Sequence, residues 1–330
     1  MSDGDRPKVA LFAPHPLLTV TIEMEGSDRQ RIHFHAGGQG AWAARMAAHM
    51  GATPVLCGFL GGESGQLLGG LLEQAISPGE MRIVRTSASS GVYVTDRREG
   101  TRKLVAMTLS DPPTRHELDE LFSLTCAEAI ACGWLVVTNP MPGSTLPLEI
   151  YGDLIADAKA NGAKVLVDLS SPRMDSALRG APDVAKLNDW ELAEMVRGPV
   201  SEPEQLLRAA ERLREGGAET VIVTRGEKPS LVLHGGEALR LTSPHFEHGY
   251  REGCGDSMVG ALAAAMAGGE TFERSLEIGA AAGAANFLRR GLGSASREVV
   301  ERLLDSVLLE PWPAEELSGG RAGATRGSAA

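Results

Sequence analysis

Apolar positions along the chain fall into two periods. Short apolar runs at Lys8 to Phe12, Pro54 to Phe59, Leu135 to Thr138, Lys164 to Asp168, Val184 to Lys186 and Thr220 to Thr224 predict strands. Between them, helical spacing predicts helices over 41–50 (closed by Gly51), 66–74, 147–161, 189–197, 203–215 and 258–266. From residue 133 onward strands and helices alternate regularly. That order predicts right-handed crossovers and a mainly parallel sheet with helices on both faces, with ligands at the carboxyl ends of the strands. A period of two dominates elsewhere. Gly91 to Thr95 and Arg102 to Met107 alternate around the turn Arg98-Glu99-Gly100, and Thr19 to Phe34 alternates likewise. The segments 15–36 and 81–109 are therefore expected to form a small β lid beside the main α/β body. One domain over 1–312 is expected, followed by a disordered tail over 313–330, where apolar residues thin out.

Composition narrows the function classes. The 330 residues are 43% hydrophobic, enough for a full core, and carry a formal net charge of −11. A surplus of acidic groups argues against a sequence-independent nucleic-acid binder, but it leaves room for a phosphorylated substrate in a local basic pocket. The N-terminal residues lack the apolar stretch of a signal peptide and no segment is long enough to span a bilayer, so a cytoplasmic protein without membrane partners is expected. Four cysteines, at 57, 126, 132 and 254, form no C-x-x-C pair. Cys57, Cys126 and Cys132 read as small core residues. Cys254 stands apart because of its neighbours.

Those neighbours are Arg251-Glu252-Gly253-Cys254-Gly255-Asp256-Ser257-Met258. Glycines at 253 and 255 let successive backbone N–H groups converge on an anion, and the helix that follows points its positive end at the same place. Asp256 at the mouth of that helix is positioned to take a proton from an attacking hydroxyl. Taken alone, the stretch also fits a helix whose Asp is merely an N-cap.

The order of motifs resembles the ribokinase-like, or PfkB, family of carbohydrate kinases, nearest to its 1-phosphofructokinase and tagatose-6-phosphate kinase branch. Ala36 to Arg45 is similar to the Gly-Gly-Lys-Gly-x-Asn signature, and Gly58-Phe59-Leu60-Gly61-Gly62 to the run that follows it. Asn139-Pro140-Met141-Pro142-Gly143, Val167-Asp168-Leu169-Ser170, Ala185 to Leu192, Val223-Thr224-Arg225-Gly226 and Gly253 to Met258 match later motifs in order. The resemblance implies a ribokinase-like fold and transfer of the ATP γ-phosphoryl group to a sugar or sugar phosphate with Mg²⁺. It makes Asp256 the base and Gly253, Cys254 and Gly255 the anion hole. Asn188 and Glu191 would order metal and phosphates, Glu191 through water, although the pair is equally a capping box. Thr224 and Gly226, with the small-residue helix Ile278 to Phe287, would meet the nucleotide. Close packing is the better account of most of that helix. His15, Thr19, Gly37, Gly38, Gln39, Trp42 and Tyr93 fall where the acceptor would bind. Lids of this family often pair, so a homodimer through the lid is expected.

The departures gather at the acceptor end. His15-Pro16-Leu17-Leu18-Thr19 replaces Asn-Pro-x-x-Asp, and Gln39 and Trp42 replace the signature Lys and Asn. Ser90-Gly91-Val92-Tyr93 lacks the lid arginine; Arg98, Arg102 and Lys103 nearby read as substitutes or, more commonly for a hairpin turn, as solvated charges. His15, His33 and His35 fit no zinc spacing and read as substrate hydrogen-bonders or neutral strand residues. Tyr250-Arg251-Glu252-Gly253 replaces a monovalent-cation motif, which makes potassium activation doubtful and suggests Arg251 as a substitute positive charge near ATP. A thiol at a helix N-terminus predicts a lowered Cys254 pKa. Trp42 also suits a nucleoside or another ring-bearing alcohol as acceptor. A non-catalytic nucleotide-binding regulator is the rival class, disfavoured by an intact Asp256. A dehydrogenase is disfavoured by the lack of Gly-x-Gly-x-x-Gly after the first strand.

Overall fold

The computed structural model describes residues 6–140, 144 and 146–317. The motif residues Met141, Pro142 and Gly143, the first five residues and the tail beyond 317 lie outside the described residues. The chain runs β1 (Lys8–Phe12), β2 (Leu17–Glu25), β3 (Arg29–Gly37), α1 (Gln39–His49), β4 (Thr53–Gly61), α2 (Gly62–Ile76), β5 (Glu80–Thr86), β6 (Val92–Asp96) and β7 (Lys103–Thr108). It continues through α3 (Arg115–Cys132), β8 (Trp134–Thr138), α4 (Glu149–Ala160), β9 (Lys164–Asp168), α5 (Arg173–Arg179), β10 (Val184–Asn188), α6 (Asp189–Val196), α7 (Pro203–Glu215) and β11 (Thr220–Arg225). The last part holds β12 (Lys228–His234), β13 (Glu237–Thr242), α8 (Cys254–Ala267), α9 (Phe272–Phe287), α10 (Arg297–Leu303), β14 (Leu308–Pro311) and α11 (Ala314–Leu317).

Ten strands form one sheet in the order β14-β13-β12-β11-β10-β9-β8-β1-β4-β5. The pairs from β5 to β11 are parallel, and β12 to β14 add an antiparallel edge. Successive side chains feed opposite cores, as a parallel sheet covered on both faces requires. Ala10 and Phe12 join one apolar cluster, while Val9 and Leu11 join the other. The parallel strands end side by side, so Thr138, Asp168, Asn188 and Thr224 share one edge of the sheet.

The lid is a separate four-stranded sheet ordered β3-β2-β6-β7. Its extent corrects the sequence reading. Glu80–Thr86 is not lid; it pairs with β4 as the edge of the large sheet, Val55 opposite Glu80 and Phe59 opposite Val84. Alternation marks any half-buried strand, and an edge strand of the body carries the same pattern as a lid strand. Residues 314–317, which the sequence reading assigned to the tail, form a helical turn.

Candidate active site

Gly253 takes the left-handed conformation (φ 76°, ψ 2°) and serves as N-cap of α8 without any side-chain cap. Asp256 is therefore the third residue of the helix, and the simple cap reading does not hold for it. The first intrahelical bond runs from the Ser257 N–H to the Gly253 carbonyl at 2.9 Å, so the amides before it have no i−4 carbonyl to serve. Asp256 is buried, with 6% of its surface exposed. Burial first, and the Asp168 carboxylate second, push its carboxyl up to about 8, against the pull of Lys186.

Lys186 is a residue the sequence reading quoted but gave no role. It rises from β10 to place Nζ 3.0 and 3.2 Å from the two carboxylate oxygens of Asp168 at the end of β9, both side chains buried. Burial works against its charge, yet the carboxylates of Asp168, Glu191 and Asp256 together raise its pKa. A Cβ on Gly255 would lie 2.9 Å from Nζ, so the lysine tip rests against the turn that opens α8. A fixed ammonium thus stands between the head of α8 and the carboxyl end of β9. Only the strand register brings Asp168 opposite Lys186, and no local pattern signals it.

Asn188 and Glu191 do form the capping box of α6. Asn188 Oδ1 accepts from the Glu191 N–H at 2.8 Å, and Glu191 Oε2 accepts from the Asn188 N–H at 2.9 Å. The box uses one polar atom of each side chain and orients both at the strand ends. Burial raises the Glu191 carboxyl above its ordinary value.

Two cavities flank this centre. One of 210 Å³ is lined by Thr224, Gly226, Arg251, Cys254 and Gly255 together with Ala280, Gly283 and Ala284 of α9. The expected nucleotide residues thus meet, and Ser243 to Phe246, which no motif flagged, add a further wall. Packing also explains part of α9, since a Cβ on Gly279 would lie 3.1 Å from the Met258 carbonyl. Arg251 is exposed and bonded to Glu227 Oε1 at 2.6 Å, so its charge is offset at the rim. The buried cation of the site is Lys186 instead. Cys254 corrects the reactive-thiol expectation: desolvation pushes the thiol up to about 11, outweighing the Asn286 hydrogen bond. Its Sγ lies 3.4 Å from the Tyr250 carbonyl, to which it donates.

The second cavity, of 560 Å³, lies under the lid and is lined by Thr19, Gly38, Gln39, Trp42 and Tyr93 as expected, with Asn139, Ser170, Arg102 and Arg173. Thr19 Oγ1 and Gln39 Oε1 are buried here without a partner among the described residues. Such atoms call for hydroxyl or water partners. Gly37 does not line the cavity; its missing Cβ makes room for Thr19 Oγ1, which would lie 2.4 Å away. His15 also falls outside it. Burial holds its pKa down to about 4, and its ring packs edge-on to Phe59 at 5.6 Å, beside a separate 10 Å³ space. It is a neutral core histidine.

Among the described residues no group of three or more His, Cys, Asp or Glu side chains is gathered to hold a metal ion, and no helix is long and apolar enough to cross a membrane. Residues 16–298 match the model of the pfkB family carbohydrate kinases. The chain is 25% identical over 311 residues to an ATP-dependent 6-phosphofructokinase isozyme 2 of Mycobacterium tuberculosis, covering 92% of this chain and 91% of that protein. It is 27% identical over 235 residues to a 1-phosphofructokinase of Rhodobacter capsulatus, covering 69% and 72%. The structure of phosphofructokinase-2 from Escherichia coli in complex with potassium superposes with a TM-score of 0.80 at 23% identity, covering 91% of this chain and 99% of that one.

Proposed function

Because the chain belongs to the pfkB family of carbohydrate kinases, we propose that it transfers the γ-phosphoryl group of ATP to a hydroxyl of a sugar phosphate. The observation that carries this reading is Asp256: a buried carboxylate with pKa near 8, at the mouth of an uncapped helix and beside a buried ammonium. A base of that pKa can accept a proton near neutral pH. In this account the acceptor hydroxyl gives its proton to an Asp256 carboxylate oxygen as its oxygen bonds to the γ-phosphorus, and the bond from that phosphorus to the ADP leaving oxygen breaks. The amides of Gly253 to Gly255 and the Lys186 ammonium offset charge on the transferred group. Thr224, Gly226 and the α9 wall hold the nucleotide, and Arg251 closes its rim. Thr19, Gly38, Gln39, Trp42 and Tyr93 hold the acceptor. His15 and Gly37 shape the wall from behind.

Mg²⁺ keeps several waters and takes few protein ligands when phosphates are present. Glu191 fits that requirement, since its capping bond occupies Oε2 and leaves Oε1 for a metal-bound water. The bound ion would supply charge neutralisation between phosphates, and Glu191 would orient its water shell. Monovalent-cation activation is not part of this proposal.

The lid turns an apolar outer face to solvent. Ile32 and Phe34 are 59% and 49% exposed, and their cross-strand partners Ile22 and Val20 lie on the same face. A second copy pairing lid to lid would cover it. The test of function is ADP formation with Mg-ATP against fructose 1-phosphate, fructose 6-phosphate, tagatose 6-phosphate, free sugars and nucleosides. Turnover with a sugar phosphate supports the proposal; turnover confined to nucleosides would replace the acceptor class.

A further inference from the structure

A third cavity, of 330 Å³, opens between the inner face of the lid and the end of α9. Arg45 from α1, Arg97 and Arg102 from the β6–β7 hairpin, and Arg289 and Arg290 after α9 line it, against a single lining carboxylate, Glu23. In a chain with a net charge of −11, five arginines on one wall invert the local balance. Arg97 pairs with Glu23 at 3.8 Å. The other four have no carboxylate within 4.0 Å among the described residues. Their bonded partners are neutral where present: Arg45 donates to the Leu292 carbonyl, Arg289 to Ser294 Oγ and Arg290 to Tyr250 Oη.

The positive groups strain against one another. Burial first and Arg289 second lower the Arg45 pKa, and burial first and Arg97 second lower that of Arg102. Burial, then His33 and Arg45, do the same to His35, which also lines the cavity. Converging cations around a void this size suit a multiply charged oxyanion, which guanidinium groups bind with paired N–H bonds. The cavity also shares Thr19, Trp42 and Arg102 with the cavity under the lid, so one ligand can occupy both.

We propose that this arginine-walled cavity receives the phosphate that the acceptor already carries. The sugar then lies in the shared region, and the negative charge is anchored at the end remote from the incoming phosphoryl group. This rests on the kinase reading above and deepens it by assigning the residues that hold the acceptor's own phosphate. Arg173, in the wall of the other cavity, is the competing anchor.

Arg97→Gln and Arg289→Gln, singly and together, and Arg173→Gln are compared with the wild type. Fructose 6-phosphate, fructose 1-phosphate, tagatose 6-phosphate and unphosphorylated fructose serve as acceptors, and thermal stabilisation by inorganic phosphate serves as the binding probe. The expected result is a rise of about tenfold or more per arginine in KM for the phosphorylated acceptor. KM for ATP and for fructose stays within about twofold of wild type, and phosphate stabilisation is lost in the double variant. A KM effect confined to Arg173→Gln would overturn the proposal. Loss of phosphate stabilisation with no change in acceptor KM would also overturn it, by separating the anion site from the acceptor. If the wild type turns over none of these sugars, the sugar-kinase reading fails but the phosphate probe still decides the cavity. Stabilisation of the wild type and not the double variant supports an oxyanion site there; no stabilisation of either removes it.

Discussion

At the head of α8, removing a carboxylate from water raises its affinity for a proton, and Asp256 is held at about 8 instead of its ordinary 3.8. The folded protein then binds this proton more tightly than the unfolded chain does. The group's contribution to stability is present below pH 3.8 and is lost as pH rises to about 8. Asp256→Asn cannot ionise, so its melting midpoint is expected to exceed that of the wild type by ~2–4 °C or more at about pH 9, and by less at about pH 5. An unchanged difference across that range would contradict the buried, protonated state. Cys254 shows the same physics in a thiol. With its pKa near 11 it is expected to react slowly with iodoacetamide at neutral pH, its rate still climbing with pH above about 9. A plateau below pH 8 would show an activated thiolate. The sequence places both residues at a helix N-terminus, and there its information stops. Proximity to the helix end is local and legible, whereas desolvation depends on what packs above from distant segments. That is why Asp256 could be singled out while the direction at Cys254 was misread.

At the scale of elements, the pair that braces the site joins two strand ends. Lys186 on β10 and Asp168 on β9 are 18 positions apart and meet because the strands are parallel neighbours. Removing one partner of a buried pair strands the other charge, so Lys186→Met is expected to cost about 3–5 kcal/mol in urea unfolding. Lys186→Met combined with Asp168→Leu should recover much of that loss; equal damage in the single and double variants would show that the charge is not what matters. Regular strand and helix periods made β1, β4 and β8 to β11 legible, along with α1, α2, α4, α6 and α7, whereas α3 and α5 went unread. The period of two could not assign β5 to the body or to the lid, because both positions half-bury a strand. The antiparallel edge β12 to β14 went unread for a related reason. Its register is set by pairing across turns and by a return from residue 308, not by any local pattern.

For the whole molecule, function follows from where segments converge. The carboxyl ends of β8 to β11, the head of α8 and the inner face of the lid line two cavities, and the arginine-walled space shares Thr19, Trp42 and Arg102 with the one under the lid. The cavity residues Thr19, Gln39, Trp42 and Tyr93 could be grouped by resemblance in chain order. The arginine cavity could not, since α1, the lid hairpin and the end of α9 each contribute one or two residues that read as ordinary surface charge. The lid's outer face makes a separate claim about assembly. Phe34→Asp, on the edge strand of that face, is expected to shift the protein from dimer to monomer in sedimentation at micromolar concentration; a wild type that is already monomeric would refute lid pairing.

The most direct measurement compares acceptor-dependent ADP formation by the wild type and by Asp256→Asn under saturating Mg-ATP, with ATP affinity measured on both. A fall in turnover of ~10²–10⁴-fold with ATP affinity nearly unchanged is the expected result for a general base that does not hold the nucleotide. Turnover within a few-fold of wild type would contradict the assignment of Asp256, and with it this account of how the site works.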